Sequence, residues 1–139
     1  MAFESTAAGF ALLLGRVAFA SVLGFLAIGN LQDMDETIAY AKSKGAPLAG
    51  ITVPLSSLAL LGGAATIALG AFPLVGSLAI GAFLVGVTPI MHDFWTQEGM
   101  DRQNEFIHFL KNVGLGGGAA VFAALATLSW PYAIGITLV

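Results

Sequence analysis

The chain has 139 residues, of which 58% are hydrophobic and only 9% charged, and its mean hydropathy is +0.91. A soluble domain carries about a quarter charged residues, so the lipid bilayer is the solvent that fits, and the length allows a single domain. A net charge of −3 gives no basic footprint for nucleic acid, and the absence of cysteine excludes disulfides, thiolate metal sites and thiol catalysis.

A hydrocarbon core about 30 Å thick is crossed by about 20 helical residues. Four stretches qualify: about 7–31, interrupted only by Arg16; about 49–70; about 73–91; and about 101–128, where an amphipathic start leads into an apolar run. Open backbone polar groups are not tolerated in lipid, so these stretches are helices. The fold class expected is an all-α membrane protein, with four transmembrane helices in an antiparallel up-down-up-down bundle and both termini on one side. Such a chain is a multi-pass protein of the cell membrane. The first nine residues hold Glu4 and no Lys or Arg, so no cleavable signal peptide is expected.

The connections differ in character. Residues 32–48 form a polar loop containing Asp33, Asp35, Glu36, Lys42 and Lys44. The Gly70-Ala71-Phe72-Pro73 turn is uncharged, and the Gly/Pro pair ends one helix and begins the next. Residues 92–118 hold both histidines and nearly half of the charges, so the polar chemistry gathers at one end of the bundle. Lys42, Lys44, Arg102 and Lys111 lie on that side, and the positive-inside rule then places the loops in the cytoplasm.

Helical phasing puts Ser56, Ala59, Gly63, Thr66 and Gly70 on one face, a seam of small residues for close packing. The same phasing groups Ser77, Gly81, Thr88 and His92 on the third helix, and Asp101, Glu105, His108, Lys111 and Asn112 on the fourth. The three consecutive glycines at 116–118 cost about 1 kcal/mol each relative to alanine, which implies a very close neighbour or a bound group. Small-residue faces are also compatible with a homo-oligomer.

Lys111 lies where the fourth helix enters the apolar region, beside Asn112. Its expected partners are Glu105, Asp101 and Asp93, in a structural ion pair that closes the end of the bundle. The sharper reading is a site in which Lys111, Asn112 and His92 hold a polar headgroup such as a quinone carbonyl, with His108 nearby and Trp95 stacking on the ring. Trp95, Trp130 and Tyr132 also read as interfacial anchors. Arg16 is an intramembrane ionisable residue and so a candidate by default; it lies near enough to the helix end to snorkel or join a structural ion pair. With no short-spaced histidine pair and no cysteine, no metal is expected.

Four pieces of the chain carry a resemblance: Gly15-Arg16 in the first helix, the loop segment IAYAKSKGAPLA, His92-Asp93-Phe94-Trp95, and Phe109-Leu110-Lys111-Asn112 with the glycines that follow. On these the chain resembles the DoxX family of small four-helix membrane proteins. It departs from the family pattern at Ala59, Asn30 and Ala71-Phe72, where members often carry a glutamate, a lysine and a basic residue. The resemblance implies a membrane subunit of a quinone-linked oxidoreductase or respiratory-type system, with quinone as its cofactor and redox subunits as partners. The alternative it implies is a non-catalytic scaffold that recruits a partner protein.

Overall fold

The computed structural model describes residues 3–138. The helices are α1 (Thr6–Gln32), α2 (Met34–Ser43), α3 (Ala49–Leu69), α4 (Pro73–Met91) and α5 (Gly99–Leu125), with one 3-10 turn at Phe94–Thr96 before α5. Among the described residues, α1, α3, α4 (with the 3-10 turn) and α5 are long and apolar enough to cross a membrane. The protein is thus an all-helical, multi-pass membrane protein. Large apolar side chains such as Phe25, Val85 and Leu78 point outward, with Val85 78% exposed, as lipid-facing residues do.

Local sequence sets the helix ends. Ser5 caps α1, its hydroxyl accepting from the Ala8 backbone N–H at 3.1 Å. Gly70, at φ +63°, closes α3 by donating to the Ile67 carbonyl while Ala71 donates to that of Thr66. Pro73 opens α4, where its missing N–H leaves no intrahelical bond unmade.

The segment between the first two spans is not all loop. Ten of its residues form α2, whose half-buried or buried positions Met34, Thr37, Ile38 and Ala41 follow helical spacing. Asp35 and Glu36 fall in its first turn and Lys42 in its last, the order the helix dipole favours. A Schellman motif stops it: Gly45 donates to Lys42 and Ala46 to Ala41, with Gly45 at φ +79°.

The packed interior is a chain of small and medium side chains. Leu23, Ala27, Leu60, Ile67 and Ile80 are essentially fully buried. The α3–α4 seam runs through Gly63, Thr66 and Gly76, not through Gly81, which has open space beside it. Ala59 is exposed, and Ser56 lines a cavity, so the expected small-residue face of α3 is in contact with α4 only in its second half. Of the three consecutive glycines in α5, only Gly118 has a close neighbour, the Phe19 ring, 2.8 Å from where a Cβ would stand.

Arg16 does not snorkel, and among the described residues it has no ion-pair partner. It is 1% exposed, and its guanidinium donates to the backbone carbonyls of Pro131, at 3.1 Å, and Tyr132. The chain beyond α5 folds back to make this possible. Ile134 and Gly135 donate to the Leu69 and Gly70 carbonyls, and Phe72 donates to that of Ile136. Trp130 is likewise not an interfacial anchor. It is buried against Phe122 and 5.8 Å from the Arg16 guanidinium carbon, and its indole N–H donates to the Leu125 carbonyl. Tyr132 is exposed.

Candidate functional site

At the end of the bundle away from Arg16, four segments meet: the close of α2, the close of α4, the 3-10 turn and the first half of α5. The Schellman stop of α2 places Lys44 there. Its ammonium lies 2.8 Å from an Asp93 carboxylate oxygen and 3.8 Å from one of Glu105. The hydrogen bond to Asp93 holds the Lys44 pKa above its ordinary value, against the opposing effect of burial. Asp93 also accepts from the Thr96 hydroxyl at 2.7 Å, which ties the 3-10 turn to the same carboxylate.

Glu105 links this pair to the histidines. Its second oxygen is 2.8 Å from Nδ1 of His92. The His92 ring in turn stacks on His108, with centroids 5.3 Å apart and planes 24° from parallel. Glu105 and His108 are three residues apart on α5, so one helix face presents the carboxylate and the second imidazole to His92 together. The result is a continuous row, Asp93–Lys44–Glu105–His92–His108. A carboxylate bonded to one ring nitrogen fixes the orientation of an imidazole, so the row can present His92 to a polar group in a set direction.

The sequence-derived candidates divide. His92, His108, Glu105 and Asp93 come together. Lys111 does not join the carboxylates, whose cation is Lys44; it is exposed, 3.4 Å from Nδ1 of His108. Asn112 is buried within the bundle, where its amide donates to the Thr88 hydroxyl at 3.1 Å. That bond fastens α5 to α4 and uses the group expected to face a ligand. Asp101 is exposed. Trp95 is 55% exposed, and its ring meets Phe94 and Phe109 edge-on.

Two residues were absent from the sequence-derived site. Lys44 sits in the first polar loop, 49 positions before Asp93, and only the fold of α2 brings it near. Phe94 is the aromatic hub of the 3-10 turn. Its ring packs edge-on against Trp95, Phe106 and Phe109 at 5.0–5.3 Å and so seats the turn on α5. The aromatic run His92-Asp93-Phe94-Trp95 was the available signal for it.

No curated protein and no solved structure matches the chain. The DoxX family model matches residues 11–93, more than half of the chain, and ends at the aspartate that binds Lys44. The match thus runs from within α1 through α4, while α5 and its Phe-Leu-Lys-Asn run lie beyond it. With four membrane-crossing helices and this match over its first three spans, the chain belongs to the DoxX family.

Proposed function

We propose that this chain is an integral membrane subunit of a quinone-linked oxidoreductase, holding a quinone headgroup at the loop end of the bundle. The observation that carries the reading is the Glu105–His92 hydrogen bond of 2.8 Å, with His108 stacked beside it. Imidazole nitrogens are the donor set that a quinone carbonyl needs, and a carboxylate-backed imidazole can deliver a proton to that oxygen. When bound, a quinone accepts two electrons and two protons to become a quinol. The electrons come from a partner redox subunit, since no residue of this row exchanges electrons. His92 would bind one carbonyl and pass it a proton, the second proton coming from water at this end of the bundle, while Glu105 would orient His92 and Lys44 hold Glu105 and Asp93 in place. Lys111 and Trp95, both exposed, would cover the ring from the outside.

The test is titration of the purified full chain with a short-tailed benzoquinone, with His92→Ala, His108→Ala and Glu105→Gln beside the wild type. A loss of affinity of at least tenfold in His92→Ala is expected, with a smaller loss in Glu105→Gln. Unchanged affinity in the His92→Ala/His108→Ala double variant overturns the reading.

A second reading, a scaffold that docks a partner protein, is favoured by one specific feature. Trp95, Met100 and Phe106 are exposed beside the charged row, so apolar side chains stand at the end where the polar groups gather. Recovery of a stoichiometric partner by the wild type but not by Trp95→Ser/Phe106→Ser would support it; equal recovery by both would count against it.

A further inference from the structure

A slot of about 320 Å³ lies between α3 and α4 beneath α2, and none of the row residues lines it. Along α4 it runs from Ala82 to Met91. Nine helical rises at 1.5 Å make it about 14 Å long. Its walls are mostly apolar, with Val53, Phe83, Val87 and Ile90 among them; Asn30, Thr37, Thr52, Ser56 and Ser57 are its polar members, and no charged residue takes part. A pocket of this volume is at the lower end of those that hold small ligands.

One buried group in that wall lacks a partner. Ser57 is 1% exposed and its hydroxyl makes no hydrogen bond. Other buried or half-buried hydroxyls of the spans have partners: Ser56 donates to Val53, Thr66 to Gly63 and Ser77 to Pro73, each bonding a carbonyl of its own helix. Thr88 accepts from Asn112. A buried hydroxyl left without a partner is costly, so such groups are rare in native interiors. By the α3–α4 register, in which Gly63 meets Ile80, Ser57 stands level with Gly86, the glycine that opens the opposite wall.

We infer that this slot is a binding site for one elongated, uncharged, apolar molecule carrying a hydrogen-bond acceptor, which the Ser57 hydroxyl meets. The absence of charge in the wall excludes an ionic headgroup, because nothing there would neutralise it. Two sources share this chemistry, an acyl chain with its ester carbonyl and a prenyl chain with a terminal carbonyl. The inference goes beyond the loop-end reading and stands or falls separately from it, since the two sites share no residue.

The experiment uses the full chain in mild detergent and a neutral photoprobe, a 12-carbon methyl ketone bearing a diazirine, with crosslinks mapped by peptide mass spectrometry. Labelling is expected on the α3 and α4 peptides that line the slot. Gly86→Leu adds bulk at the slot wall from a position where a Cβ meets nothing within 4 Å; it should cut slot labelling at least tenfold. Ser57→Ala keeps the wall and removes the hydroxyl, and should weaken labelling about fivefold, the value of one neutral hydrogen bond. Gly81→Leu, also free of neighbours within 4 Å but outside the slot, should leave labelling unchanged. Equal labelling of wild type and Gly86→Leu overturns the proposal, as do crosslinks spread evenly over the lipid face of α1. Should Gly86→Leu fail to fold, undiminished labelling of Ser57→Ala overturns the assigned hydrogen bond. Mass spectrometry of an organic extract then tells an acyl from a prenyl occupant.

Discussion

Replacing Gly76 by alanine tests how closely α3 and α4 are packed. A Cβ at position 76 would lie 1.9 Å from the Thr66 hydroxyl oxygen and 2.9 Å from the Gly63 carbonyl oxygen. The first contact is relieved only by moving a side chain that is itself hydrogen-bonded to Gly63 at 2.8 Å. The second is to backbone, so the helices must separate. Gly62, one position from the seam and exposed to lipid, offers the control, because a Cβ there meets nothing within 4 Å. Both substitutions gain about 1 kcal/mol of helix propensity. Their difference therefore isolates the overpacking penalty, about 1–3 kcal/mol. Unfolding of the purified protein in mixed detergent micelles measures it, with Gly62→Ala above wild type and Gly76→Ala below Gly62→Ala by that amount. Adding Thr66→Ala to Gly76→Ala should recover part of the loss and not all, since the carbonyl contact remains. Gly76→Ala as stable as Gly62→Ala would refute the close seam.

Two further outcomes concern the loop end. Lys44→Met should lower stability at neutral pH. Because the folded-state pKa of Lys44 is raised, its contribution is fully present below the ordinary lysine value and is lost as pH rises through the raised one. The difference in Tm between wild type and Lys44→Met should therefore stay level from neutral to mildly alkaline pH and shrink only in strong alkali; a difference that vanishes near pH 7 would contradict the pairing. Asn112→Ala should cost about 1 kcal/mol through the lost bond to Thr88, and a double-mutant cycle with Thr88→Val should show coupling while quinone affinity stays unchanged.

The spans were legible because lipid leaves the backbone few choices: an apolar run of sufficient length has to be a helix. His92 and Glu105 were legible for a related reason, since a short connection between α4 and α5 returns the chain to the same end of the bundle. Lys44 was not. Sequence proximity favours Lys111 as the partner of Glu105, yet six positions along a helix amount to more than one and a half turns, whereas α2 folds Lys44 directly over the carboxylates. The signal for α2 was present in its helical spacing of Met34, Ile38 and Ala41 and in the order of its charges, but a polar composition between two spans reads first as loop. Arg16 was legible as a candidate and not in its role. Its partners are the carbonyls of Pro131 and Tyr132, and a backbone carbonyl leaves no mark on residue identity.

The two ends of the bundle are held by different chemistry, and the difference bears on where function resides. Taking a guanidinium out of water costs several kcal/mol, and each hydrogen bond to a charged group returns about 1.5–3 kcal/mol. At the Arg16 end those bonds go to backbone that is itself pinned to the α3–α4 turn by Ile134, Gly135 and Phe72. Displacing one of these contacts exposes a buried charge and unpairs several backbone groups at once, so this end is built to stay as it is. At the other end the side chains of Lys44, Asp93, His92 and Glu105 are 14–22% exposed, so they keep the freedom to meet water or an incoming group. A group that must take up a headgroup, a proton or a partner surface needs that freedom. The row from Asp93 to His108 has it, and Arg16 does not.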